Sequence, residues 1–592
     1  MKLQLIAAAL SFSLAACSNS QLNEPTKSHT PEIIQAAVAV NAQATDIITL
    51  EQVMADPDWF GRAPESWYWG SDSNTVVFKQ KQLGNPLRDL YSLDLSNGNK
   101  VNQVALSNKH IVEDKGALLN QSRSHKVYTF NGDVFVKTVA TNAVKQLTFT
   151  SNHERNAIFL SNDDVAYQVG NTFYAHNIVT GQLKELANLQ MSAKPAGVAE
   201  PKTYIAKEQH KLINYIALQQ RNSELKEQQK EALAKQNSTI TTTKYYFGKG
   251  NRVSHSSLSP AGDRLLVSIA VAKSSRDDRD IMPNYVTKDG VIVAEKVRAR
   301  VANNRQYKEE IFFIDLDKGE KSSLSYETLP DFETDVLADV KKENHARQGK
   351  EYISKKQARN IHLLQMGFPV KWNADGSQVA LMLEAWDNKT RWLATVNFDD
   401  NKLVNQHKLH DDAWINYSLN EFDWVGNEAL YYLSEESGYS HLYHKVLNSG
   451  KAQQLTSGKF EVSDVTLTQD KQRFIFKANK KHPGIYEVYQ VDLAKNLKAL
   501  TDLGGKNDYS LSPDESKLLI EHSSLTMPPE LYVQSLSSDV EATQVTYTVS
   551  EQFKALPWAA PSIVAIPSTN QKEPIYSRVY LPNNYDKTTD KN

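Results

Sequence analysis

The chain has 592 residues, 40% of them hydrophobic, and a formal net charge of −2. A nearly neutral chain has no general electrostatic pull toward nucleic acid. Its single cysteine excludes an internal disulfide, so the body must be held by its core.

The first residues read as a targeting segment rather than as fold. Lys2 supplies a positive start and Leu3 to Ala16 form an apolar run too short for a permanent span. The run ends in Leu14-Ala15-Ala16-Cys17, which resembles a bacterial lipobox. The expectation is cleavage before Cys17 and acylation of its thiol, with several acyl chains giving a stable membrane anchor. Ser18 after the cysteine favours the outer membrane, and the polar, Ala- and Gln-rich stretch 18–45 suits a flexible tether.

The chain has 26 Tyr, 19 Phe and 9 Trp, and from about residue 65 the pattern becomes short apolar runs cut by Asn, Asp, Gly and Ser. One turn type recurs. Ser259-Pro260-Ala261-Gly262-Asp263 precedes Leu265-Leu266-Val267, and Asn373-Ala374-Asp375-Gly376-Ser377 precedes Val379-Ala380-Leu381. Thr468-Gln469-Asp470 precedes Phe474-Ile475-Phe476, and Ser512-Pro513-Asp514 precedes Leu518-Leu519-Ile520. The last two turns are separated by the roughly 40–45 residues of a four-stranded blade. The pattern predicts an all-β chain: a β-propeller of about eight four-stranded blades over 65–547, in preference to stacked β-sandwiches.

Two insertions interrupt the repeat. Residues 202–235 have helical composition, with Ile205, Leu212 and Ile216 close to one face, and are expected to pack on the propeller. Residues 327–360 are strongly charged and are expected to form a solvated excursion. After the repeat, 548–592 reads as a linker followed by one last strand, Tyr576 to Pro582.

Several segments resemble bacterial peptidases of the prolyl oligopeptidase family, those with a dipeptidyl-peptidase-IV-type N-terminal propeller. They are Thr49 to Trp59 with Arg62-Ala63-Pro64-Glu65; Pro283-Asn284-Tyr285-Val286-Thr287; Ser434 to Tyr443; Pro528-Pro529-Glu530-Leu531-Tyr532; and Val579-Tyr580-Leu581-Pro582 to Tyr585-Asp586. The resemblance implies a propeller set over an α/β-hydrolase that uses a Ser-Asp-His triad with its serine on a G-x-S-x-G elbow. It implies that 46–64 packs on such a domain and that the final strand opens it. The sequence contains no G-x-S-x-G, so this chain is expected to be the inactive, substrate-gating part of a peptidase of short peptides. The other class open to it is a non-enzymatic binding or scaffold propeller.

No catalytic residue is assigned. Ser440-His441 are neighbours on a strand and point to opposite faces, so adjacency does not make them a nucleophile and its base. His153-Glu154 begins like a zinc-protease motif, but Ala157 stands where the second histidine belongs. No metal and no cofactor is expected. Glu435-Glu436 is the one substrate-binding candidate, because paired acids in dipeptidyl peptidases hold a peptide's terminal ammonium by charge-assisted bonds. The expected partners are short peptides and, through the lipid, a membrane; nucleic acid is not one. The expected location is the bacterial cell envelope, facing the periplasm.

Overall fold

A computed structural model describes residues 48–195, 201–237, 244–272, 279–299, 309–447, 449–537, 540–569, 574–582, 585–586 and 588–589. The lipobox with Cys17 and the tether lie outside them.

Eight four-stranded antiparallel sheets follow one another along the chain, spanning 65–103, 118–146, 154–190, 251–323, 361–410, 422–454, 462–499 and 506–544. Sheets 7 and 8 touch through a single parallel bridge, Tyr486 to Lys506. Sheet 3 gains a fifth, parallel strand, Lys244–Tyr246, beside Leu183–Gln190. Each sheet is one blade, and seven apolar clusters each fill a seam between two consecutive blades, while an eighth packs Tyr68, Val77 and Leu90 of blade 1 against Val104 and Val112 of the connection to blade 2. The seam between blades 4 and 5 holds Leu266, Ile311, Leu381, Leu383 and Trp392. The ring closes between blades 1 and 8, where Trp69, Val76 and Leu93 meet Leu519, Leu531 and Val545. Burying each such side chain contributes about 1.5–3 kcal/mol, so the seams are the core of the fold.

Polar bonds tighten the same closure. Trp69 Nε1 donates to Ser510 O at 3.0 Å, Asp514 N to Ser73 Oγ at 3.1 Å, and Lys517 Nζ to Ser73 O at 2.9 Å. The architecture is therefore an eight-bladed β-propeller, as the turn repeat predicts.

A second repeat operates inside the blades. In blades 2, 6, 7 and 8 a threonine just after the outermost strand accepts a backbone N–H from the third strand. The pairs are Val134 to Thr148, Leu442 to Thr456, Val488 to Thr501 and Leu531 to Thr546, at 2.8–3.0 Å. The hydroxyls of Thr148, Thr501 and Thr546 donate to Asp133, Glu487 and Glu530, and His441 Nδ1 lies 3.1 Å from Thr456 Oγ1. This staple holds the short edge strand where ladder bonds are few.

In up-and-down blades the 1–2 turns lie on one face of the ring, and the 2–3 and 4–1 connections lie on the other. The 1–2 turns touch their neighbours: Ser161 N donates to Pro260 O at 2.8 Å, and Gln469 N to Glu515 Oε1 at 2.7 Å. Gly376 has φ +75°, and a side chain there would lie 2.6 Å from Ala261 N, so only glycine fits this crowded turn. The opposite face is where the chain leaves and re-enters the blades at its longer connections, from Gln103 to Leu118, Gln190 to Asn251, Val271 to Glu310, Ser323 to Ile361 and His410 to Phe422.

The insertions differ from expectation in how they pack. The predicted helix exists as Tyr204–Leu212 and Asn214–Gln236, broken at Ile213. Ile205 and Leu212 are exposed, however, and Ile216 is half-buried, so two of the stripe's three residues face solvent. The 327–360 excursion is less solvated than its charge suggests. Its Leu329 enters the core between blades 4 and 5. Pro330 O accepts from Trp392 Nε1 at 3.0 Å, and Arg359 makes a bidentate pair with Asp387 at 2.8 and 2.9 Å.

The end segments are also more engaged than single-strand reasoning allows. Trp59 and Phe60 pack against Phe553, which lies on Trp558, and Gly61 bridges to Val549. The final strand is Ile575–Val579, and one of its edges is paired with Ser562–Ile566. That hairpin carries exposed Ile563, Val564, Ile566, Ile575 and Tyr576, and touches blade 7 through a Tyr576–His482 edge contact.

Candidate functional site

The long-connection face holds a charged cluster at the seam of blades 5 and 6. Glu384 ends the strand Val379–Ala385 and Arg391 begins the strand Thr390–Asn397, so the tight turn between them brings acid and base together. Both are buried, at 3% and 5% exposure, with 4.0 Å between Arg391 Nη2 and Glu384 Oε2. Arg391 Nη2 donates to Asn416 O at 2.6 Å, while Arg391 Nε and Glu384 Oε1 have no hydrogen-bond partner in the protein. Burial pushes the Glu384 carboxyl above its usual range and the Arg391 guanidinium below its own, each moderated by the other's charge.

Glu435 and Glu436 occupy the 2–3 turn of blade 6 on this same face. They diverge. Glu435 is half-buried, hydrogen-bonds the Asn416 side chain and feels Arg391; burial raises its carboxyl, and Glu461 and Asp411 add to the rise. Glu436 is exposed and faces Tyr443 and His407 instead. The structure therefore places Glu435, and not the pair, over the buried Arg391–Glu384 couple. His407 stacks on Tyr432 at 4.5 Å, and its Nε2 lies 3.1 Å from Ser434 Oγ. Burial, helped by Lys445, lowers its pKa to about 4. The ring is neutral at pH 7, so its 3.7 Å approach to Glu436 is not an ion pair.

Around the cluster, the loop 411–420 is pinned rather than loose. Ile415 is 2% exposed and its N–H bonds Asn388 O, while Asp411 N bonds Lys389 O. The neighbouring blade-4 edge adds the buried Glu309, which accepts from Leu363 N at 2.8 Å and from the Ser254 hydroxyl. These residues border a polar cavity of about 300 Å³.

Ser440 and His441 are structural. Ser440 Oγ donates to Val462 O at 2.9 Å, and both His441 nitrogens are engaged, by Thr456 and by Gly458 O. Among the described residues no group of three or more His, Cys, Asp or Glu could hold a metal ion.

Sequence reading finds Glu435 but misses Glu384, Arg391 and Asn416. A glutamate and an arginine inside strands that are otherwise apolar are the signal that could have found the first two, because a buried charge needs a partner.

This is a ring of eight blades with one plain face and one elaborated face that carries buried charge. Residues 354–529 match the family described as the dipeptidyl peptidase IV (DPP IV) N-terminal region. Among solved structures, the chain is similar to Porphyromonas gingivalis dipeptidyl peptidase 4, with a TM-score of 0.52 at 12% identity over 89% of this chain and 65% of that one. It is also similar to a putative dipeptidyl aminopeptidase IV from Bacteroides ovatus, with a TM-score of 0.51 at 14% identity over 89% of this chain and 66% of that one. At such identities the likeness is one of fold, and the chain spans just under two thirds of each of those proteins. No curated protein sequence matches it. Residues 354–529 are thus similar to the dipeptidyl peptidase IV N-terminal region, and the chain as a whole shares the propeller fold of the two solved structures.

Proposed function

We propose that this propeller admits and orients short peptides for a serine peptidase of the prolyl oligopeptidase family. The observation that supports the reading best is the likeness over 89% of the chain to the P. gingivalis enzyme, joined to the family match at 354–529. In this reading the nucleophile belongs to an α/β-hydrolase domain and the blades contribute selection. Glu435, set above Arg391, receives the ammonium of a peptide's first residue; Glu436 lies to one side of that contact. Cys17 carries the lipid that holds the protein at the envelope, facing the periplasm.

The test uses the chain as it stands. Treated with a fluorophosphonate serine-hydrolase probe and with dipeptide nitroanilides, it is expected to show neither labelling nor turnover, while binding short peptides with a free amino terminus. Labelling of a serine within residues 65–547 would overturn the assignment of catalysis elsewhere. Failure to bind any short peptide would remove the peptide-handling role and favour a scaffold.

A further inference from the structure

The loop that caps the Arg391–Glu435 cluster also carries two large aromatic side chains into solvent. Trp414 is 72% exposed and Tyr417 is 57% exposed. They stand on either side of the buried anchor Ile415 and of Asn416, whose carbonyl is held by Arg391. Asp411 turns the loop by accepting the N–H groups of Ala413 and Trp414 at 2.7 and 3.1 Å. The aromatics are thus displayed by a fastened backbone. Beside this loop runs the bulge 364–369 of blade 5, where Met366 and Phe368 are also exposed. The two loops abut, since a side chain on Gly367 would lie 3.7 Å from Asn420 Oδ1. Four large apolar side chains on adjoining loops form a patch of the kind that marks a binding site.

The charge around the patch selects its occupant. Glu435 feels Asp411 and Glu461 as well as Arg391, and Lys371, 5.4 Å from the Phe368 ring, is itself paired with Asp423, so carboxylates outnumber cations. Beneath them, Arg391 Nε and Glu384 Oε1 are buried with no hydrogen-bond partner in the protein. A neutral hydrocarbon ligand would leave these carboxylates without a counter-charge. An acidic ligand would meet Asp411, Glu435 and Glu461. A positively charged group next to a bulky side chain satisfies the carboxylates and the rings together, by charge-assisted bonds and cation–π or stacking contact.

We infer that Trp414 and Tyr417, with Met366 and Phe368 opposite, form a side-chain subsite that selects peptides with a large aromatic or aliphatic residue beside a cationic one. The inference rests on the peptide-handling reading and adds to it which side chains are chosen and by which residues.

Calorimetric titration of the full chain with four probes tests it: Lys-Phe-Ala amide, Lys-Gly-Ala amide, Asp-Phe-Ala amide and N-acetyl-Gly-Phe-Ala amide. Lys-Phe-Ala amide is expected to bind best, with replacement of Phe by Gly costing about tenfold in Kd, the size of one good aromatic contact. In Trp414→Ala and in Trp414→Ala/Tyr417→Ala that Phe-over-Gly preference is expected to disappear. Both side chains are exposed, so an unchanged melting curve serves as the folding control. Glu435→Gln is expected to remove the preference for Lys over Asp while keeping that for Phe over Gly. A Phe preference that survives the double substitution overturns the subsite. Equal binding of all four peptides overturns the subsite and leaves peptide handling standing. No binding by any of them overturns both.

Discussion

Single residues decide whether a blade edge holds. The Glu530 carboxylate accepts from the Thr546 hydroxyl at 2.6 Å, from Val549 N at 2.9 Å and from both the hydroxyl and the N–H of Thr548. One buried acid thus finishes the outer strand of blade 8 and begins the segment that meets Gly61. Glu530→Ala strands several donors away from water and is expected to cost about 2–4 kcal/mol. Urea denaturation checks this, and a loss below about 1 kcal/mol would show that water replaces the carboxylate without difficulty.

His407 gives a pH signature at the same scale. Its folded pKa of about 4 lies below the ordinary 6.5 of an unfolded chain. Between those values the unfolded chain takes up a proton that the folded one refuses. The contribution is therefore fully present above pH 6.5 and is lost as the pH falls, by about 1.4 kcal/mol per unit until pH 4. Glu384, Glu435 and Glu436, all raised by burial, act in the opposite sense and damp the total slope. Comparison with His407→Gln isolates the histidine: the stability difference between wild type and variant should shrink or reverse steadily from pH 6.5 to 4.5. A difference independent of pH would mean that the ring is solvated enough to titrate normally.

At the scale of elements, what the sequence makes legible follows local chemistry. The turns at 259–263, 373–377, 468–472 and 512–516 show themselves because each carries an Asp and three of the four carry a Pro or a Gly, the residues that such turns favour. The threonine staple is less visible, although Leu147-Thr148, Leu455-Thr456, Leu500-Thr501 and Val545-Thr546 are written in register. Its partners lie 13–16 residues upstream in the chain, and nothing local marks them. The Arg391 cluster is hidden for the same reason, since Glu384, Asn416 and Glu435 are joined by folding and not by spacing. The 202–235 stripe misleads in the other direction. Its apolar spacing is real, but spacing shows that a face exists and not what covers it. Because Ile205 and Leu212 remain exposed, replacing 196–243 by a flexible linker of about a dozen residues should leave the melting temperature of the blades within about 2 °C. Differential scanning calorimetry decides the matter, and a fall of 5 °C or more would reveal a stabilising contact for the helices.

At the scale of the whole molecule, the lipid anchor proposed at Cys17 would be separable from the ring. No helix among the described residues is long and apolar enough to cross a membrane. If the thiol of Cys17 carries acyl chains, attachment depends on that one atom. Cys17→Ala is then expected to move the protein from the membrane to the soluble fraction of the envelope without altering its melting curve. Unchanged membrane association would sink lipidation as the means of attachment.

The seam between blades 1 and 8 has a topological consequence. Every blade is made from one stretch of the chain, so no strand of blade 1 completes blade 8. Trp69, Ser73, Asp514 and Lys517, with the Gly61–Val549 bridge beside them, seal the ring by non-covalent contacts alone, whereas each of the other seven seams is also crossed by the peptide backbone. The ring therefore has one clasp among seven hinges. A circular permutant cut between blades 6 and 7, with the clasp joined by a linker, would move the clasp without changing any blade. The position of the first seam to open on heating would move with it, and an order of blade assembly that starts and ends at the clasp would be rewritten by choice of cut site alone.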